Sequence, residues 1–236
     1  MAKAPNFDPI ARPYRWLEYL SFGPFLERCR FHYLGELAAC RRALILGDGD
    51  GRFTAKLLAA NPEIIVDAID SSGAMLRLLT QRAAGLGPSA SDRLRTRQTN
   101  ALNFTPEGPY DLVVTHFFLD CFSEGELDAL ISRITPHLTP GATWLISEFA
   151  IPKQPVARYL SRAIVAALYW IFGLVTGLRV RTLPNHASLL KKAGFELCQS
   201  KPHLGGLLRS ELWSLAPGTM NPAERIQYLA TASPHP

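Results

Sequence analysis

The stretch Arg42-Ala-Leu-Ile-Leu-Gly47-Asp-Gly-Asp-Gly51-Arg-Phe53 decides the fold. Residues 43–46 form a short apolar run with the length of a buried strand. The run breaks into Gly47-Asp48-Gly49-Asp50-Gly51, and residues 53–60 then read as a helix. Glycine has no Cβ and tolerates positive φ, so a strand–glycine turn–helix unit lets a ligand approach the backbone closely. The free amides of the helix start then face a polar ligand.

Outward from this turn, strand and helix patterns alternate. Residues 64–69 read as a second strand closing on Asp70, followed by Ser71, Ser72 and a helix over 74–84. Residues 85–91 are rich in Gly, Pro and Ser and read as a loop. A third strand over 95–99 ends near Asn100, and a fourth covers 110–115. A helix over 124–137 leads to a Pro140-Gly141 turn and a fifth strand over 142–149. This alternation implies a doubly wound α/β fold, a mostly parallel sheet covered on both faces. Right-handed crossovers then bring the loops after strands one to four to one edge of the sheet.

The flanks divide the single expected domain. Residues 1–40 form an N-terminal cap, in which Pro24 opens a helix running to about Ala39 that buries Phe25, Leu26, Cys29, Tyr33 and Leu37 on one face. Residues 41–150 are the core, and 151–185 are an apolar helical insertion. Its uncharged part, 163–178, is shorter than the roughly 20 residues of a membrane span, so it reads as a lid or a greasy substrate wall. Arg158, Arg162, Arg179 and Arg181 flank it, which leaves peripheral membrane contact open. Residues 186–216 hold a helix over 186–193 that stops at Gly194, then two last strands over 195–201 and 207–216. Residues 217–236 are a Pro/Thr/Ser-rich tail.

Composition excludes several classes. At 47% apolar and 19% charged the chain reads as globular, not disordered. The formal net charge is +5, but the basic residues are dispersed with no block of five, so no nucleic-acid partner is expected. Cys29, Cys40, Cys121 and Cys198 lack C-x-x-C or zinc spacing, so reduced thiols and no metal are expected. The N-terminus lacks the apolar stretch of a secretory signal, and a cytoplasmic location is expected.

The ligand class follows from the spacing of the glycines and from what surrounds them. A dinucleotide fingerprint, G-x-G-x-x-G, needs its third glycine where this chain has Arg52. The G-x-G-x-G of Gly47, Gly49 and Gly51 instead resembles motif I of the class I, Rossmann-like S-adenosylmethionine (SAM)-dependent methyltransferases. Asp70 with Ser71-Ser72-x-Ala74-Met75-Leu76 resembles that family's D-x-S-x-x-M-L, and Asn100-Ala101 stands where the family often has Asp-Ala. Residues 115–120 resemble its segment after strand four, and Ala193-Gly194-Phe195 precedes a strand pair like its closing one. Phe7-Asp8-x-x-Ala11-x-x-Tyr14 resembles the entry segment of quinone-type members, with Arg15 in place of a final Asp.

The resemblance implies a seven-stranded sheet of order 3-2-1-4-5-7-6 with its last strand antiparallel. It further implies that SAM binds at Gly47, Asp48, Gly49, Gly51, Asp70, Ser71, Met75, Asn100, Ala101 and the backbone near His116. Asp70 would take the ribose hydroxyls, Met75 would lie against adenine, and Asn100 would take the adenine amino group. Asp70 also suits an alternative role as a helix cap. The acid usual two residues before motif I is Ile45 here; Asp48 and Asp50 offer substitutes facing the methionine ammonium or sulfonium.

Methyl transfer from a sulfonium asks for orientation, exclusion of water and, where needed, a base. His116 and Asp120 are the candidate bases at the sheet edge. Tyr14, Trp16, Tyr19 and Tyr169 would line an apolar acceptor pocket, with Phe22, Tyr159 and Trp170 available to extend it. The expectation is a methyltransferase moving a methyl group from SAM to O, N or C of a small hydrophobic or aromatic acceptor, with S-adenosylhomocysteine (SAH) as product. The alternatives are a SAM-binding module without catalysis, an NAD(P)-dependent oxidoreductase and a membrane-associated lipid methyltransferase. Oligomeric state is not legible.

Overall fold

Strand β1, Arg42–Leu46, lies at the middle of the sheet, and its residues 43–46 are almost fully buried. Leu44 and Leu46 face one core, while Ala43 and Ile45 face the other, as the two-residue period of a strand requires. A strand buried on both faces reads as one apolar run, which is why it was legible in sequence. The computed structural model describes residues 22–152 and 183–216, with 154, 158, 159, 161, 164 and 165 between them. Tyr14, Trp16, Tyr19, Tyr169, most of the 151–185 insertion and the tail lie outside the described residues.

The helices are α1 (Phe25–Phe31), α2 (Arg52–Ala60), α3 (Gly73–Ala84), α4 (Pro88–Asp92), α5 (Glu124–Ile134) and α6 (His186–Lys192). The remaining strands are β2 (Ile65–Asp70), β3 (Leu94–Gln98), β4 (Tyr110–His116), β5 (Leu138–Phe149), β6 (Phe195–His203) and β7 (Leu208–Leu215). They form one seven-stranded sheet of order β3-β2-β1-β4-β5-β7-β6. Strands β1 to β5 pair in parallel, and β7 runs antiparallel to β5 and β6. Leu46 lies opposite Ile69 of β2 and Thr115 of β4, so these strands end at one level. Because β7 is reversed, its start joins that edge, with Arg209 opposite Glu148 and Leu208 opposite Phe149.

Four expectations need correction. The helix expected from Pro24 to Ala39 is α1 followed by a separate 3-10 turn at Leu34–Leu37. The amide Nδ2 of Asn61 donates to the carbonyls of Leu37, Ala38 and Cys40, so a side chain from beyond α2 ends the segment. The expected loop over 85–91 contains the start of α4, with Pro88 in its first turn. Strand five begins at Leu138, not 142, and absorbs Gly141 (φ +73°) where the register with β4 shifts. β6 continues to His203 through Pro202, which an edge strand tolerates.

All four cysteines are free. No helix among the described residues is long and apolar enough to cross a membrane.

Candidate active site

The glycine bend continues the sheet before it turns: Gly47 N–H donates to the Ile69 carbonyl of β2 at 2.9 Å. Gly47, Gly49 and Gly51 all have positive φ, between 62° and 77°. Two of them are also close-packing positions. A Cβ on Gly47 would stand 2.2 Å from Cδ2 of Phe118, and one on Gly51 would stand 2.6 Å from the backbone of Leu79 in α3. The bend is thus pressed between the loop after β4 and the helix after β2.

Its two aspartates do different work. Asp50 is buried and bridges Arg52 Nε (2.9 Å) and Arg82 Nη2 (2.7 Å), tying the bend to α3. That pairing also fixes Arg52 where a dinucleotide fingerprint would need glycine. Asp48 Oδ2 accepts from the Thr54 N–H (2.9 Å) and hydroxyl (2.7 Å), capping the first turn of α2. Its other oxygen, Oδ1, is buried without a hydrogen bond. Burial pushes the Asp48 carboxyl up to about 6, partly opposed by the Thr54 bonds and by the charge of Arg30. Neither aspartate is a solvated turn residue. Arg30, a buried cation of α1 stacked on Phe117, is a participant that sequence reading passed over.

Asp70 ends β2 half-buried, and its Oδ1 accepts from the Ser72 N–H at 2.8 Å. The helix cap is Ser72, whose hydroxyl accepts from the Met75 N–H at 3.1 Å. The alternative role for Asp70 as the helix cap therefore falls to Ser72. Ser71 is exposed, and Met75 is buried at the start of α3. Asn100 Oδ1 accepts from Leu102 N–H, ordering the 3-10 turn that holds the buried Ala101. One lone pair of that oxygen is thereby engaged, leaving a second.

His116, at the end of β4, is enclosed. Its ring packs edge-on to Phe53 with centroids 4.4 Å apart, and neither nitrogen makes a hydrogen bond. Burial, with the charge of Arg30, holds the imidazole well below its ordinary range, so it is neutral. The next residue, Phe117, has φ +52°, a rare conformation for an aromatic side chain. The turn directs the N–H groups of Phe118 and Leu119 onto Oε1 of Glu148, at 2.8 and 2.7 Å. Sequence reading missed Glu148, because its partners lie thirty residues earlier.

Past this loop, a cavity of about 230 Å³ opens at the same sheet edge. Asp120, Glu148, His186, Arg209 and Glu211 line it, together with Phe149, Ile151, Leu183 and Pro184. Glu211 is held by Trp213 Nε1 (2.9 Å) and His186 Nε2 (3.0 Å), with Arg209 at 3.8 Å. The partners hold its carboxyl below the usual range despite burial, which acts in the opposite sense. Asp120 and Glu148 are both pushed up, first by burial, and Glu148 also by the neighbouring Asp120. Tyr159 is exposed, not in the cavity wall. Among the described residues, no three His, Cys, Asp or Glu side chains converge as a metal site.

Comparison with known proteins agrees with this arrangement. Residues 44–144 match the family model described as a methyltransferase domain. Nothing among curated protein sequences matches the chain. Among solved structures, the mitomycin 7-O-methyltransferase MmcR superposes with a TM-score of 0.65 at 17% identity, over 89% of this chain and 61% of that one. An O-methyltransferase family 2 protein from Planctomyces limnophilus in complex with apigenin gives 0.60 at 17%, over 75% and 50%. The N-methyltransferase NodS from Bradyrhizobium japonicum in complex with SAH gives 0.56 at 16%, over 80% and 87%. The chain thus spans about three fifths of the length of the first of these. What it shares with them is the fold: the seven-stranded core is that of the class I, Rossmann-like methyltransferases.

Proposed function

We propose that this protein transfers a methyl group from SAM to an O, N or C atom of a small acceptor with an apolar body. The observation that carries the reading is the shared sheet edge. A half-buried carboxylate, Asp70, closes β2 beside the glycine bend, and an acid-lined cavity opens past β4 and β5 on the same edge. The unpartnered Oδ1 of Asp48 fits a cofactor with an ammonium group, and it supplies the acid that Ile45 lacks.

In this reading Asp70 holds the ribose hydroxyls, and Met75 and Ala101 bound the adenine. Ser71, Gly49 and Asn100 border the same space, and Asp48 takes the methionine ammonium. SAM supplies an activated methyl on a sulfonium leaving group. The chain orients the acceptor in line with that methyl and excludes water from the cavity. When the attacked atom carries a proton, it passes to the Asp120–Glu148 pair, which lines the cavity, not to the enclosed His116.

Titration calorimetry with SAH and with NADH tests the reading. SAH is expected to bind and NADH not to; tighter binding of NADH overturns it. Asp70→Ala is expected to weaken SAH by about tenfold to a hundredfold, the worth of hydrogen bonds to a charged group. SAH release measured over a panel of hydroxyl and amine acceptors separates an enzyme from a non-catalytic SAM-binding module.

A further inference from the structure

Helix α1 is fastened to the sheet near its C-terminal end by residues outside the cavity wall. The Ser210 hydroxyl of β7 donates to the Cys29 carbonyl at 2.6 Å, and the Ser147 hydroxyl of β5 donates to the same carbonyl at 3.3 Å. The Ser210 proton is thereby committed, so in the 3.0 Å contact between Ser210 Oγ and His203 Nε2 the imidazole is the donor. His203 ends β6. Its ring meets that of His32, the C-cap of α1, edge-on with centroids 5.2 Å apart. His32 also packs edge-on to Tyr33 at 4.5 Å.

The ionic surroundings of this pair are one-sided. The last turn of α1 carries Arg28 and Arg30. Lys201 is the neighbouring charge on β6, and Arg209 of β7 stands opposite Pro202. Glu211 and Glu36 act on the adjoining Tyr33, but no acid is among the groups that act on His203. Among the described residues, the histidine paired with a carboxylate is His186, not either of these two. Burial, then His32 and Lys201, hold the His203 imidazole below its ordinary range. The folded protein therefore takes up this proton less readily than the unfolded chain. The penalty is absent above the ordinary histidine range, grows as pH falls through it, and is constant below the folded value.

Helix α1 also lies against the glycine bend. Arg30 stacks on Phe117, and its charge acts on both Asp48 and His116. Phe31 stacks on Phe53 of α2 with centroids 6.0 Å apart. We infer that the His32–His203 contact is an acid-sensitive latch: a proton on each ring sets like charges face to face, loosens α1 from β6 and β7, and so opens the approach to the glycine bend. The latch works whatever ligand the bend takes, so it stands apart from the methyltransferase reading.

Hydrogen–deuterium exchange of the full-length protein tests it, at about pH 7.5 and about pH 5.5, each normalised to the intrinsic exchange rate at that pH. Protection of residues 25–33 is expected to fall at least about threefold at the lower pH, while that of β1 stays level. His203→Gln keeps a side-chain N–H for Ser210 and removes the titrating ring. It is expected to keep the protection at neutral pH and to abolish the fall. His32→Gln, at an exposed position, is expected to remove most of the fall. If His203→Gln does not fold, His32→Gln alone decides. Protection of α1 that does not change with pH, an equal fall in β1, or a fall that persists in full in either folded variant overturns the inference.

Discussion

Along one sheet edge, the β1–β2 side and the β4–β5–β7 side hold their buried acids with different partners. Around the glycine bend, Asp50 is paired with two arginines, and Asp48 caps a helix with one oxygen while its other oxygen makes no hydrogen bond. Around the cavity, backbone amides of the loop after β4 hold Glu148, while Trp213 and His186 hold Glu211. Under the proposed function, the first side is the cofactor cradle and the second lines the acceptor site.

Variants test that contrast, beginning with the cradle. Gly51→Val places a branched side chain at φ +77° against the backbone of Leu79, and is expected to cost about 4 kcal/mol or prevent folding in thermal denaturation. Asp50→Ala removes the carboxylate shared by Arg52 and Arg82, and about 2 kcal/mol of lost stability is expected, less than for a fully buried pair because Arg82 is partly exposed. A near-neutral result for Asp50→Ala would erase the distinction between the two sides.

Asp48 sharpens the comparison through pH. Its folded carboxyl is raised to about 6, so below that value it is neutral and a poor partner for an ammonium. SAH affinity is expected to rise by roughly tenfold from pH 5 to 7, and Asp48→Asn should flatten that rise in calorimetry. The smallest effect is expected on the acceptor side. Asp120 and Glu148 are raised on folding, so the folded state binds more protons than the unfolded chain. Their contribution is therefore fully present below the unfolded carboxyl range and is lost as pH rises through the folded values. Glu148→Gln should leave stability at pH 7 within about 1 kcal/mol of the parent, or raise it, and reduce the decline between pH 5 and 8 in urea titrations. A loss comparable to that of Asp50→Ala would show that Glu148 is structural.

The sheet was legible because its central strands are buried on both faces and therefore read as unbroken apolar runs, as in residues 43–46 and 112–114. Helices α2 and α3 were legible from the glycine turn and from Ser72. What escaped depended on contacts distant in sequence. Nothing near residue 33 announces that Asn61 will end the preceding segment. Nothing in the bend shows that Phe118 will lie on Gly47. Glu148 reads as an ordinary polar strand end until the amides of Phe118 and Leu119 are found on it. His116 drew attention as an ionisable side chain at a strand terminus, yet strand alternation turned it inward against Phe53.

The double engagement of Glu148 bears on how such a protein diversifies. One of its oxygens anchors the loop after β4, and the residue also lines the cavity. Most replacements at this position would slacken the loop in the same step that altered what the cavity accepts. If the cavity takes the acceptor as proposed, drift toward new acceptors is channelled to neighbours without that second duty, Leu183, Pro184 and Ala187 among them, where the walls can be reshaped while the anchor stays put.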